Sequence, residues 1–351
     1  MYSPKFTISN IILRNIGQIE GAKQVIDNAP LLPYYEKKFR DDAMVRAVHY
    51  GTHIEGNELS LNQAEKVLSG QIVDGRDRDI QEVLNYRKVM EMIGEFRSSE
   101  VQKFRVDEEL IFTLHKLTVT KVLPDEQIGK YRTTQVVIKN NKSGEVVFRP
   151  PQAELVGKQM SDFVAFINST SNQDIHPILK SGIVHYEFVR IHPFTDGNGR
   201  VARALSTLIL FLEGYDIRQF FSLEEYFDKD ALSYYEALQS VEKNSSELTL
   251  WLEYFTHGLA VELGRIRERV EHVSVDNRLK QKLGGKPIML TDRQLKIVEY
   301  IQETGFLQNQ AFKELFPMIS EDAVLLDLKT LTKAGLIKKS GVTKGAKYIM
   351  S

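Results

Sequence analysis

No cysteine occurs anywhere in the 351 residues, which excludes a disulfide scaffold, thiolate zinc sites and a cysteine nucleophile. Long apolar runs are also missing. A membrane-spanning helix needs roughly 18–20 apolar residues, whereas the most apolar stretch, Ala204 to Leu212, still contains Ser206 and Thr207. The opening Met1-Tyr2-Ser3-Pro4-Lys5 lacks the apolar h-region of a signal peptide, so the expected setting is the cytoplasm, away from membranes. Nor is there an excess of either charge. With 46 Lys and Arg against 47 Asp and Glu, the net charge of −1 supplies no overall drive toward nucleic acid or acidic lipid. Internal repeats and low-complexity tracts are absent too. What remains is 42% hydrophobic, enough to bury a core, and the length suggests two or three domains at roughly 150 residues each.

Helical spacing dominates this material, so the expected fold is mainly α. Ile8, Ile11, Ile12, Ile16 and Ile19 recur at intervals of three and four, as do Val83, Leu84, Val89, Met90 and Ile93. Ser60 with Gln63, and Thr291 with Gln294, have the spacing of capping boxes. Strand signals are confined to two places. One runs from Thr134 to Ile138, through the turn-rich Asn140 to Gly144, into Val146-Val147-Phe148, and is closed by Arg149-Pro150-Pro151. The other lies between Gly335 and Ile349. Gly284-Gly285-Lys286-Pro287 marks a boundary between a charged helix, Glu262 to Leu283, and a compact tail.

Chemistry concentrates in Ile191-His192-Pro193-Phe194-Thr195-Asp196-Gly197-Asn198-Gly199-Arg200-Val201-Ala202-Arg203. Apolar helix faces precede it (Ile183, Val184, Phe188) and follow it (Leu205, Leu208, Leu212), so the segment reads as a loop clamped between two buried helices. Gly197-Asn198-Gly199 opens the second helix, where free N–H groups and the helix dipole favour an anion. Arg200 and Arg203 share a face of its first turn. Guanidiniums gain nothing from the dipole there, so their placement makes sense around a polyanion such as a polyphosphate. Asp196 can hold a magnesium ion bridging phosphate oxygens. His192, the one group in the loop that titrates near neutrality, is the natural general base. A GxG pattern alone is common; the whole string is specific.

From His192 to Arg203 the string is similar, without substitution at a signature position, to the signature of the Fic (Fic/DOC) family of nucleotidyltransferases. The likeness extends over roughly residues 40–260 and implies a helical Fic fold with a small β-hairpin flap, plus transfer of AMP from ATP to a Ser, Thr or Tyr hydroxyl of a target protein. By position, His192 would take the hydroxyl proton and Asp196 would hold Mg2+. Gly197, Asn198 and Gly199 would bind phosphates, and Arg200 and Arg203 the phosphates that leave as pyrophosphate. The hairpin at 134–148 corresponds to the family's flap, which can pair with a target peptide through its main chain. Tyr235 resembles a residue on the adenine side, though an ordinary core aromatic is an equal reading. His176 and His185 have no spacing that fixes a metal set with His192 and are read as structural.

Upstream, Gly51-Thr52-His53-Ile54-Glu55-Gly56-Asn57 resembles the family's inhibitory motif, in which a glutamate pairs with the second signature arginine, here Arg203. Gly56 and Asn57 are helix-terminating residues, which places Glu55 in the last turn of a helix. One position departs: Gly51 stands where the family has Ser or Thr, with Thr52 one place later, and this puts the hydroxyl contact in doubt.

Residues Thr291–Thr304, Gln308–Phe316 and Ser320–Ala334, followed by a hairpin with Ser340-Gly341 and Lys344-Gly345 at its tip, are similar to a winged helix-turn-helix. From Lys329 onward there are six lysines and no acid. Glu321 and Asp322, however, sit where a recognition helix would meet phosphate, so protein docking is favoured over DNA binding. The expected division is residues 1–105 for a helical region with the inhibitory motif and 106–258 for the catalytic core. Residues 259–287 form a helical linker and 288–351 the winged helix. Removal of AMP from modified protein, and a DNA-binding regulator with a nucleotide-sensing core, are the alternatives to AMP transfer. A homodimer is compatible, but no sequence feature marks an interface.

Overall fold

The structure, a computed structural model, describes residues 2–31, 33–96, 105–139, 146–169, 174–274, 290–317, 319–341 and 346–351. They pack as two compact units, residues 1–23 with 41–264 and residues 24–40 with 265–351. Among the described residues no helix is long and apolar enough to cross a membrane.

The first unit is mostly helical. In chain order it draws on α1 (Asn10–Asn28), α2 (Pro33–His53), α3 (Leu61–Leu68), α4 (Asp77–Glu95) and α5 (Glu108–Val119), then the strands β1 (Ile138–Lys139) and β2 (Val146–Phe148). After them come α6 (Ala153–Asn168), α7 (Pro177–Ile191), α8 (Asn198–Leu212), α9 (Leu223–Lys229), α10 (Ala231–Lys243) and α11 (Thr249–Val273). The antiparallel pair α7 and α8 forms the centre, with α4 and α5 against α8 and α6 against α7. Helix α8 is buried along its length apart from Gly199, and the burial includes its polar side chains Arg200, Arg203, Ser206 and Thr207. Val201, Leu205 and Leu208 have no solvent exposure, and each such side chain contributes about 1.5–3 kcal/mol of burial. Pro177 starts α7 at its first turn, where its missing N–H costs nothing, and the His176 ring accepts the Ile178 N–H. Pro193 cannot continue the helix, and α7 stops at His192.

Two local expectations are corrected. The periodicity puts Ile8, Ile11, Ile12, Ile16 and Ile19 on the buried face of α1, but Ile8 and Ile11 are exposed and that face is Ile12, Asn15, Ile19 and Ala22. Asn15 belongs there because its amide donates to Thr256 Oγ1 at 3.0 Å. The strand expected over 134–138 begins only at Ile138, paired with Phe148. Pro150 and Pro151 have no N–H to extend the ladder, so Arg132 and Gln135 bond the carbonyls of Thr134, Pro150 and Pro151 instead. The flap tip, Asn140 to Gly144, lies outside the described residues.

Both capping boxes form, Ser60 with Gln63 before α3 and Thr291 with Gln294 before the next helix. In the second unit that helix, α12 (Asp292–Thr304), is followed by the short α13 (Phe312–Leu315), then α14 (Glu321–Lys333) and an antiparallel pair, β3 (Ile337–Ser340) with β4 (Lys347–Met350). Ile297, Ile301, Leu307, Val324, Leu328 and Ile337 are among the residues of its core. The middle helix is shorter than expected because its first turn, Asn309–Ala311, is 3-10. The charged helix expected to reach Leu283 is described to Val273, and the Gly284–Pro287 boundary and the Lys344-Gly345 tip fall outside the described residues.

Candidate active site

The α7–α8 junction holds His192 in the left-handed region, φ 50° and ψ 60°. For a side chain other than glycine this costs about 1–2 kcal/mol, so surrounding bonds must hold it. Arg132, itself buried, supplies them: its Nε donates to the His192 carbonyl at 2.8 Å and its own N–H to the Pro193 carbonyl at 2.8 Å. His192 Nδ1 lies 3.2 Å from the Val189 carbonyl. A carbonyl only accepts, which assigns the proton to Nδ1 and leaves the Nε2 lone pair open. Burial lowers the ring's pKa to about 4, against smaller raising effects of the Val189 bond and Glu55. At neutral pH this histidine is an uncharged base.

Beyond it the loop is fixed by its own side chains. Phe194 stacks on His115 with centroids 3.7 Å apart, while Asn198 binds Phe194 twice, accepting its N–H at 2.9 Å and donating to its carbonyl at 2.8 Å. Asn198's side chain is thus committed to the loop, and its backbone N–H, with that of Gly199 in the first turn of α8, is the group facing outward from the helix start. Gly197 takes φ 79°, and a Cβ there would meet Val119 at 2.8 Å. Asp196 accepts the Gly197 N–H and bonds Arg200 at 3.3 Å and Arg78 at 2.9 Å. Burial acts to raise its pKa, but Arg200, the Gly197 N–H and Arg78 outweigh it, so Asp196 is ionised.

Arg200 and Arg203 are each only 1% exposed. Arg200 Nη1 is 3.2 Å from Glu82 Oε1 without hydrogen-bond geometry, and the Nε and Nη1 atoms of both arginines have no hydrogen-bond partner. Buried guanidiniums with unmet donors are costly unless an anion meets them. Arg203 Nη2 does have partners, Glu55 Oε1 at 2.6 Å and the Gly51 carbonyl at 2.8 Å. Glu55 lies in the turn just past the end of α2, closed by Gly56 at φ 96°. Its carboxylate reaches so close to α8 that a Cβ on Gly199 would stand 2.1 Å from it. The packing also accounts for Gly51. Thr52 Oγ1 turns back onto the carbonyls of Val48 and His49, while a Cβ at Gly51 would meet the Tyr86 ring at 2.5 Å. Tyr86 fills the space of the missing side chain, and the Gly51 carbonyl contacts Arg203 directly.

A cleft opens beside these groups, lined by Glu55, His192, Gly199, Arg203 and Tyr235 together with Ile138 and Phe148 of the flap. Of the two adjacent tyrosines, Tyr234 is core, bonded to His185 at 2.9 Å, whereas Tyr235 is 39% exposed at the cleft wall. His185 is buried and His176 caps α7; among the described residues no three acids or histidines gather as a metal set. Asp196, a single ionised carboxylate beside unmet guanidiniums, instead suits a magnesium ion that takes most of its ligands from phosphate and water. Sequence reasoning missed Arg132, Glu82, Arg78 and His115, whose contacts to the loop span tens of residues or more and leave no local pattern.

A neutral histidine, a carboxylate and two buried arginines thus gather around one helix start. Residues 105–210 match the family model described as Fic/DOC family. That stretch is a Fic/DOC family domain. The chain is 35% identical over 171 residues to a protein adenylyltransferase, fic-1, of Caenorhabditis briggsae, and 33% identical over 181 residues to a protein adenylyltransferase, Fic, of Drosophila grimshawi. The matched regions cover 48% and 51% of this chain but only 32% and 35% of those relatives, about a third of their length. A Fic family protein of Desulfovibrio desulfuricans shares the fold across 100% of this chain and 98% of its own, with a TM-score of 0.66 at 22% identity. Fic-1 of C. elegans aligns over 74% of this chain and 72% of its own, with a TM-score of 0.58 at 25% identity.

Proposed function

We propose that this chain transfers AMP from ATP to a Ser, Thr or Tyr hydroxyl of a target protein, and that Glu55 holds the reaction in check. The observation that carries this reading is the open, unprotonated Nε2 of His192 in the same cleft as Arg203 and its carboxylate partner. The names of the curated relatives support it. His192 Nε2 accepts the proton of the attacking hydroxyl, an O–P bond forms at the α-phosphorus, and the bond to the β-phosphate oxygen breaks to release pyrophosphate. Arg200 and Arg203 hold the departing phosphates, and the N–H groups at the start of α8 add to that field. Asp196 would hold Mg2+, which neutralises phosphate charge when bound. Tyr235 borders the base. Glu55 competes because its carboxylate occupies the guanidinium that a phosphate needs.

The same reading assigns residues 1–105 to inhibition, 106–258 to catalysis, 259–287 to a linker and 288–351 to a winged helix, in a cytoplasmic setting that supplies ATP. For the winged helix, protein docking fits better than DNA because Glu321 and Asp322 occupy the first turn of α14. A gel shift with duplex DNA that weakens steeply with salt would reverse that choice. For the activity, incubation with α-labelled ATP and Mg2+ should label protein, and should do so more strongly for Glu55→Gly. Release of AMP from modified protein, lost in the same variant, would show the reverse reaction instead.

A further inference from the structure

The carboxylate assigned to the metal is already engaged by a cation from another helix. Arg78 stands in the first turn of α4, and its Nη2 lies 2.9 Å from Asp196 Oδ2 while its Nε lies 3.1 Å from Glu82 Oε1. The other Asp196 oxygen accepts the Gly197 N–H and faces Arg200 Nη2 at 3.3 Å. The four side chains, two carboxylates and two guanidiniums, cancel in charge. A divalent cation at Asp196 would break that balance and meet two positive neighbours. Arg200 is buried and cannot withdraw, whereas the Arg78 side chain is 58% exposed and can.

We propose that Arg78 is a built-in counter-cation for Asp196 that the magnesium of the incoming nucleotide must displace, with Glu82 as the carboxylate that keeps Arg78 paired once it has moved. The inference rests on the adenylyltransferase reading and adds a residue to it. Glu82 is what keeps the cost of the exchange low. It is buried, already bonded to Arg78 and fixed by Asn57 Nδ2 at 3.1 Å, so the displaced guanidinium never loses its ion pair. Arg78 thereby holds Asp196 in place before metal arrives, and sets a threshold for metal entry separate from the Glu55–Arg203 contact.

The test uses the full chain carrying Glu55→Gly, saturated with a non-hydrolysable ATP analogue, with Mn2+ as the probe and free Mn2+ read by electron paramagnetic resonance. Removing the competitor with Arg78→Gln should tighten Mn2+ binding about 2- to 5-fold, the range for a partly exposed ion pair. Arg78→Lys, which keeps the charge but cannot span both carboxylates, should fall between. The Mg2+ concentration giving half-maximal AMP transfer should drop in the same ratio. Equal or weaker Mn2+ binding by Arg78→Gln, with the parent both binding Mn2+ and transferring AMP, would overturn the role of Arg78 alone. A parent that takes up no Mn2+ with the nucleotide would overturn this role and the magnesium part of the functional reading together. Should Arg78→Gln melt well below the parent, Arg78→Lys decides: affinity equal to or below the parent's contradicts displacement.

Discussion

Replacing Glu55 with glycine removes one carboxylate from Arg203 and leaves the guanidinium for a phosphate. The substitution deletes a charge-assisted hydrogen bond of 2.6 Å to a fully buried arginine. Such bonds are worth about 1.5–3 kcal/mol. Glu55's side chain is 30% exposed, so solvent screens part of that and the lower end applies, ~1.5–2 kcal/mol. Because ATP must offset that amount to enter in the wild type, the variant should transfer AMP about 10- to 30-fold faster at limiting ATP. Steric relief adds in the same direction, since the Glu55 carboxylate occupies the space over Gly199 at the helix start, 2.1 Å from where a Cβ would stand. Initial rates with α-labelled ATP at concentrations well below saturation, paired with calorimetric titration of an ATP analogue, would measure both effects. Glu55→Gln, which keeps the shape but loses the charge, should lie between. Wild type and Glu55→Gly agreeing within about twofold in rate and affinity would refute competition for Arg203.

The same geometry sets two further outcomes. In the proposed reaction His192 acts in its neutral form, and burial holds its pKa at about 4 rather than the ordinary 6.5, so it is almost wholly neutral above about pH 5. In the Glu55→Gly background kcat/KM should therefore be flat on its acid side from about pH 5 to 7, and a half-maximal point at about 6.5 would contradict burial of the ring. Restoring a hydroxyl with Gly51→Ser should not tighten the brake, because the new Cβ would meet the Tyr86 ring at 2.5 Å. Overpacking of this kind costs about 1–3 kcal/mol. The variant should melt lower and label more than wild type, and an unchanged melting temperature with less labelling would contradict the packing argument.

The site is legible in the sequence where its parts are contiguous. His192, Asp196, Arg200 and Arg203 lie within one helix–loop–helix, and local rules for glycines, helix starts and paired arginines suffice to place them. Glu55 is legible only through its resemblance to an inhibitory motif, since its partner lies 148 positions away. Arg132, Glu82 and Arg78 are not, because an arginine or glutamate has the same local signature whichever partner the fold brings to it. Periodicity misplaces Ile8, just before α1, and Ile11 within it, because a buried asparagine with a partner on α11 counts as polar in any such pattern. The flap strand is overextended by the β-branched residues at 134–138, whose propensity does not register the missing N–H groups of the prolines opposite them.

Whether His192 is the base of an AMP transfer restrained by Glu55 can be decided by intact-mass spectrometry. Glu55→Gly, and Glu55→Gly combined with His192→Ala, would each be incubated with ATP, Mg2+ and a lysate. Loss of the general base should lower AMP addition by ~10²–10⁴ while leaving ATP-analogue affinity within about threefold, since His192 does not hold the phosphates. Equal AMP addition by the two proteins, or none by Glu55→Gly, would contradict it.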